Sequence, residues 1–234
     1  MQAWWNEFSA DFYQNFIAEM RYMDLLNGLK TTLIITIFSV LLGFIIGFLV
    51  SIVRSTYDKT GRLKILNFIC NIYLTIIRGT PVVLQLLITY FVIFASVRID
   101  KTFAAVLAFG INSGAYVAEI FRSGIMSVDN GQMEAGRSLG LSYNTTMWSI
   151  IMPQALKNVL PALGNEVIVL LKETAVAGYI AISDLTKAAD VIRSRTYEPF
   201  FPLIGVAIIY LIMVMGLTKC VSILERRLRE SDMR

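Results

Sequence analysis

Histidine is absent from the 234 residues, which excludes a histidine-based metal site and a histidine general base. Cysteine is scarce: Cys70 and Cys220 lie far apart inside apolar segments and read as small buried hydrophobes rather than a disulfide. No G-x-x-x-x-G-K-[S/T] stretch occurs, and Lys59-Thr60 lacks the preceding glycines, so no phosphate cradle exists in the chain. A G-x-S-x-G turn is missing too, and with it a nucleophile–base constellation. Charge is thin, at 16% of residues, where a soluble domain carries about a quarter. There is no internal duplication of the hydrophobic pattern, so the inverted repeat of many secondary transporters is not apparent. The start of the chain lacks the basic and apolar regions of a cleavable signal peptide, so the first span is expected to serve as an uncleaved anchor.

Apolar residues fill the space these absences leave. They make up 56% of the chain, and mean hydropathy is +0.64. Residues 31–53 carry no charge over twenty-three positions, and about 20 suffice for a hydrocarbon core of roughly 30 Å. Further stretches at 65–97, 102–120, 147–171 and 199–221 bring the expected spans to five. Five such segments do not fit one small soluble core. The expected fold class is therefore all-α and polytopic, with Gly79-Thr80-Pro81 breaking the long second span.

Charge sets the expected orientation. Arg54, Lys59, Arg62 and Lys64 follow the first span, and Arg226, Arg227 and Arg229 follow the last. The N-terminal stretch carries Glu7, Asp11, Glu19 and Asp24 against Arg21, and its Trp4, Trp5, Phe8, Phe12, Tyr13 and Phe16 suit a membrane surface. By the positive-inside rule the N-terminus lies outside and the C-terminus inside. Residues 129–144 then fall on the cytoplasmic side. Residues 183–198 fall outside, with Asp184, Lys187, Asp190 and Arg193 at helical spacing. The pI of 9.1 reflects these cytoplasmic cations and not a nucleic-acid surface. Gly43 and Gly47, and likewise Gly110 and Gly114, are four apart and permit close helix approach, within the subunit or across a dimer.

The cytoplasmic loop runs Gly131-Gln132-Met133-Glu134-Ala135-Gly136-Arg137-Ser138-Leu139-Gly140, then nine residues, then Ile150-Ile151-Met152-Pro153. Taken alone it is a short amphipathic helix, with Gly140 suited to a left-handed cap and Pro153 expected to open or kink the next helix. Its spacing resembles the EAA loop of type I ABC importer permeases, with Gly136 for the usual second alanine and Met152 for the usual leucine. Arg78-Gly79-Thr80-Pro81 followed by Gln85, the run from Ile111 to Glu119, and Leu160-Pro161-Ala162-Leu163-Gly164-Asn165-Glu166 look like polar amino-acid permeases of the histidine/glutamine type. The resemblance covers residues 27–225, leaving 1–26 as an extracytoplasmic or interfacial segment and 226–234 as a cytoplasmic tail. It implies a coupling helix carrying Glu134, Ala135, Gly136 and Gly140, closed by Pro153, that docks on a separate ATPase subunit. It also implies a second permease subunit in a homo- or heterodimer, an extracytoplasmic binding protein, a lipid surround in a bacterial cell membrane, and ATP bound by the partner alone.

Ionisable groups inside a membrane segment are costly and mark a pathway or an ion pair. Glu166 and Asn165 on the fourth span, Asn112 and Ser113 on the third, and Gln85 after the break are the candidate substrate residues. The competing reading makes Glu166 a buried carboxylate bonded to Asn112, Asn165 or nearby backbone. As a ligand, its charge favours a cationic cargo, and Asn165-Glu166-Val167-Ile168 resembles the corresponding stretch in permeases for histidine, arginine and lysine. Glutamine, glutamate and cystine are the alternative cargoes. Lys172 and Glu173 read as interfacial, and Glu119 with Arg122 as an i,i+3 pair. Two further readings stay open: an ion-coupled transporter using Glu119, Glu166 or Lys172 as a relay, and an oligomeric channel or scaffold.

Overall fold

The computed structural model describes residues 1–230; residues 231–234, the end of the expected tail, lie outside the described residues, as do the side chains of Ala3, Lys59, Arg229 and Glu230. Every regular element among the described residues is helical, as expected. The order is α1 (Gln2–Phe12), α2 (Tyr22–Thr60), α3 (Lys64–Gly79), α4 (Val82–Ile88), α5 (Lys101–Met126), α6 (Asn130–Ser138), α7 (Tyr143–Thr146), α8 (Met152–Glu173), α9 (Leu185–Thr196) and α10 (Phe200–Glu230). Short π-helical stretches at Tyr13–Ile17, Thr89–Ile93 and Met147–Ile151 extend α1 and α4 and join α7 to α8. The expected break is present: α3 ends at Gly79, Thr80 is extended, and α4 starts after Pro81.

Among the described residues three helices are long and apolar enough to cross a membrane, at Tyr22–Asp58, Lys101–Met126 and Phe200–Leu228, and α3 with residues 82–93, bent by 111°, forms a pair with the geometry of a broken span or a re-entrant loop. The expected fourth span, 147–171, is helical but does not reach that apolarity. Gln154, Lys157, Asn158, Asn165 and Glu166 lower its hydropathy, as in helices that line polar surfaces rather than lipid.

The chain forms two compact, interleaved units. The first comprises Met1–Ser39, Val82–Phe109 and Val169–Gly216. Here α9 is anchored by its N-cap. Asp184 is fully buried and its carboxylate accepts the Thr186 and Lys187 N–H groups, at 3.1 and 3.2 Å. The Leu185 N–H donates to Thr32 Oγ1 of α2 at 3.1 Å. A side chain on Gly28 would lie 2.8 Å from the Asp184 carbonyl oxygen and 2.9 Å from the Leu185 Cα, so the two backbones touch there. Around this seam Leu25, Leu185, Ala188, Ala189, Ile192 and Val206 form one buried cluster. Burial pushes the Asp184 carboxyl above the usual carboxylate range, against the pull of its backbone hydrogen bonds. Lys187 and Arg193 hold the exposed Asp190 below that range.

The N-terminal segment joins this unit through aromatic and polar contacts that the sequence does not announce. Phe8 and Phe12 meet Phe201 edge-on, at 5.0 and 6.3 Å between centroids. The Thr196 hydroxyl donates to Asn15 Oδ1 at 2.8 Å.

The second unit comprises Val40–Pro81, Gly110–Ile168 and the chain from Leu217 onward. Helices α2 and α5 pack through the two glycine pairs. A Cβ on Gly43 would stand 2.9 Å from Ser113 Cβ, and one on Gly47 would stand 2.4 Å from Val117 Cγ1. Gly110 and Gly114 receive Leu42 and Ile46 in return. The small residues thus serve packing inside the subunit. Close approach matters because hydrophobic burial provides little drive between helices already in lipid.

Candidate functional site

Packing at Gly43 sets the position of Ser113. It is fully buried on α5, and its hydroxyl donates to Glu166 Oε1 at 2.7 Å, a charge-assisted contact between helices. Asn112, beside it, is 2% exposed, and Glu166 is 8% exposed. Glu166 follows Pro161, which supplies no backbone N–H to the ladder of α8. Three of the candidate cargo residues, Asn112, Ser113 and Glu166, are therefore buried together in the second unit. The sequence named all three, and Ser113 is a partner of Glu166 in addition to the amides it offered. Asn165 is exposed on α8, and Gln85 belongs to the first unit, half-buried on α4.

Helix α6 is the expected coupling helix. Asp129 caps it, accepting the Gly131 N–H at 2.8 Å. At the other end Gly140 has φ +81, Leu141 N–H donates to the Gly136 carbonyl at 3.1 Å, and Gly140 N–H donates to the Arg137 carbonyl at 3.0 Å. This is a Schellman closure, which glycine reaches without strain. The buried Gly136 explains the departure from the usual alanine: a Cβ there would lie 2.5 Å from Thr146 Cγ2. Behind the helix, Val128, Met147, Ile151 and Ala155 form a buried cluster backed by Met133 and Tyr143. Its outer side presents Glu134, Ala135 and Gly140, and Leu139 is 81% exposed. Pro153, also exposed, lies just past the π-helical stretch Met147–Ile151 inside the continuous helical run from α7 to α8, and supplies no N–H to its ladder. An exposed leucine on a short capped helix is a surface suited to a protein partner.

The expected Glu119–Arg122 pair forms and proves larger than its spacing suggested. Arg54 of α2 reaches Glu119 Oε2 at 3.4 Å, and Arg78 of α3 at 3.9 Å. Neither was tied to Glu119 by the sequence, since Arg54 read as a topology charge and Arg78 as part of a motif. Periodicity within one helix was the only available signal, and it reports contacts on that helix alone. Both cysteines are free.

Comparison with known proteins meets this arrangement directly. Residues 39–230 match the family described as the binding-protein-dependent transport system inner membrane component, and the chain belongs to that family. It is a type I ABC importer permease in fold and class. Among its relatives, the arginine transport system permease protein ArtQ of Bacillus subtilis (strain 168) is 39% identical over 210 residues, spanning 89% of this chain and 94% of the relative. The putative glutamine transport system permease protein GlnP of Rickettsia typhi (strain ATCC VR-144 / Wilmington) is 37% identical over the same length and shares. A crystal structure of an amino acid ABC transporter with histidines superposes with a TM-score of 0.83 at 41% identity, over 91% of this chain and 98% of that one.

Proposed function

We propose that this chain is the membrane subunit of an ATP-driven importer for polar amino acids and that basic amino acids are its preferred cargo. The observation that carries the reading is the buried carboxylate of Glu166, held by Ser113 beside Asn112. A carboxylate taken out of water is costly unless positive charge or several donors meet it, and an arginine or lysine side chain supplies both. Relatives named for arginine and glutamine support an amino-acid cargo. Glutamine is the second reading, since Asn112 and Ser113 suit a neutral amide equally well.

In this reading α6 docks on an ATPase subunit, which alone binds ATP, through Leu139 and the Glu134–Ala135 face. Two permease subunits pair, and an external binding protein delivers cargo. Arg54, Lys59, Arg62 and Lys64 after the first span and Arg226, Arg227 and Arg229 after the last support a C-terminus inside and an N-terminus outside. An ion-coupled transporter would leave α6 with no task.

The test is vesicle uptake of arginine, lysine, histidine, glutamine and glutamate, with the ATPase subunit present, by wild type and Glu166→Gln. Selective loss of the cationic substrates by roughly ten- to a hundredfold is expected, the worth of a charge-assisted bond of about 1.5–3 kcal/mol. Equal loss for all five makes Glu166 structural. Wild-type preference for glutamate overturns the cationic reading.

A further inference from the structure

Four charged side chains of the second unit line one open cavity of about 510 Å³: Arg54, Arg78, Glu119 and Arg122. Three guanidinium groups therefore face a single carboxylate, and the local sum is two positive charges in excess. Glu119 is already engaged by all three. Both of its oxygens accept from Arg122 Nε at 3.1 Å, and Oε2 also accepts from Arg54 at 3.4 Å. The arginines are less fully used. Arg78 stands 3.9 Å from Glu119, beyond hydrogen-bond reach, with its guanidinium over the Tyr116 ring. The Arg54 Nε is buried and has no acceptor. Asn71 and Thr75 of α3 add an amide and a hydroxyl to the same wall, at positions one turn apart below Arg78.

A cavity with surplus planar donors and a saturated carboxylate is built to receive negative charge and not an ammonium group. We propose that it is a binding site for a small oxyanion, a carboxylate or a phosphate, separate from the Glu166 group. Guanidinium forks fit both through paired hydrogen bonds, where a lysine would offer a point charge only. Two sources supply such a group. One is the α-carboxylate of an amino acid in passage, and in that case the inference rests on the reading above. The other is the phosphate of an anionic lipid headgroup, which does not depend on it.

The test uses the full-length chain with its ATPase subunit in phosphatidylcholine nanodiscs, with the nucleotide sites filled so that they take no phosphate. Acetate and inorganic phosphate are titrated and binding is read by calorimetry. Both are expected to bind wild type, about tenfold more weakly to Arg78→Gln, the loss expected for one charge-assisted bond. Arg54→Lys keeps the charge but loses the Nε donor, and a smaller loss is expected. Arg78 is exposed enough for Arg78→Gln to fold normally, which its melting curve checks. Glu166→Gln should bind both anions as wild type does even where its uptake fails, so failure of the cargo reading leaves this result standing. Arginine against agmatine, which lacks the carboxylate, identifies a cargo source if only arginine is weakened by Arg78→Gln. Discs containing phosphatidylglycerol identify a lipid source if they abolish binding of the soluble anions. Absence of anion binding in phosphatidylcholine discs, or binding equal in wild type and both arginine variants, overturns the proposal.

Discussion

Gly28 of the first unit meets backbone alone, whereas the nearest atoms to the paired glycines of the second unit belong to side chains. Gly28 lies against the Asp184 carbonyl and the Leu185 Cα, at a seam where a buried cap and the Thr32 hydroxyl tie α9 to α2. Gly43, Gly47, Gly110 and Gly114 lie instead against Ser113, Val117, Leu42 and Ile46. A side chain can change rotamer, whereas a backbone held by its own hydrogen bonds cannot move alone. The second unit also contains α6, the Ser113–Glu166 bond and the arginine cluster. The second unit thus combines a side-chain-lined glycine seam with a hydrogen bond between helices, while the Gly28 seam of the first unit is tied down by a buried cap.

The two left-handed helix ends differ in the same sense. α6 closes on Gly140 with a paired Schellman bond set, and α9 closes on Tyr197, φ +57, with one bond to the Arg193 carbonyl. Tyr197 is 90% exposed and gains little packing to offset that conformation.

The largest test of the contrast is Gly140→Leu. A left-handed leucine costs about 1–2 kcal/mol, which should leave the protein folded in the membrane yet abolish ATP-driven uptake because α6 no longer closes for docking. Normal uptake by an intact complex would remove α6 from the coupling role. Next come the glycine seams. Gly124→Ala, whose Cβ would lie 2.1 Å from Val159 Cγ2, should destabilise by about 1–3 kcal/mol through overpacking, and Val159→Ala should recover most of that loss. Gly28→Ala should cost at least as much, and no single side-chain truncation should rescue it. Equal rescue of both, in detergent melting, would erase the distinction between the units.

Tyr197→Gly should stabilise by about 1 kcal/mol by relieving the left-handed tyrosine, with no change in uptake. The smallest effect concerns Asp184. Its folded pKa lies above the ordinary 3.8, so its contribution to stability is fully present below that value and is lost as pH rises through the raised pKa. Asp184→Asn keeps a good cap and should flatten that part of the pH–stability profile by a few tenths of a kcal/mol. An unchanged profile would mean that another group sets it.

Local features were the most legible. The cap at Gly140 and the break at Gly79-Thr80-Pro81 each follow from local backbone preference, and both occur. Glu166, Ser113 and Asn112 were legible one at a time, because a polar residue in an apolar run is conspicuous wherever it points. Their meeting was not legible, because periodicity does not carry contacts between distant segments. Span counting fell between these cases. α8 was read from its length, but its polar face leaves it short of the apolarity of the other spans.

The sequence by itself determined an all-helical membrane chain, the short helix α6 with its glycine closure, and the family to which the chain belongs. These are properties of composition and of neighbours within about one helical turn, which the chain carries however it packs. Only the tertiary structure decided that Ser113 reaches Glu166, that Gly136 is required by Thr146, and that Arg54 and Arg78 join Arg122 around one carboxylate. Each of these depends on the distance between residues far apart along the chain, which packing sets and local sequence does not; the α2–α5 approach at the glycine pairs is one such distance.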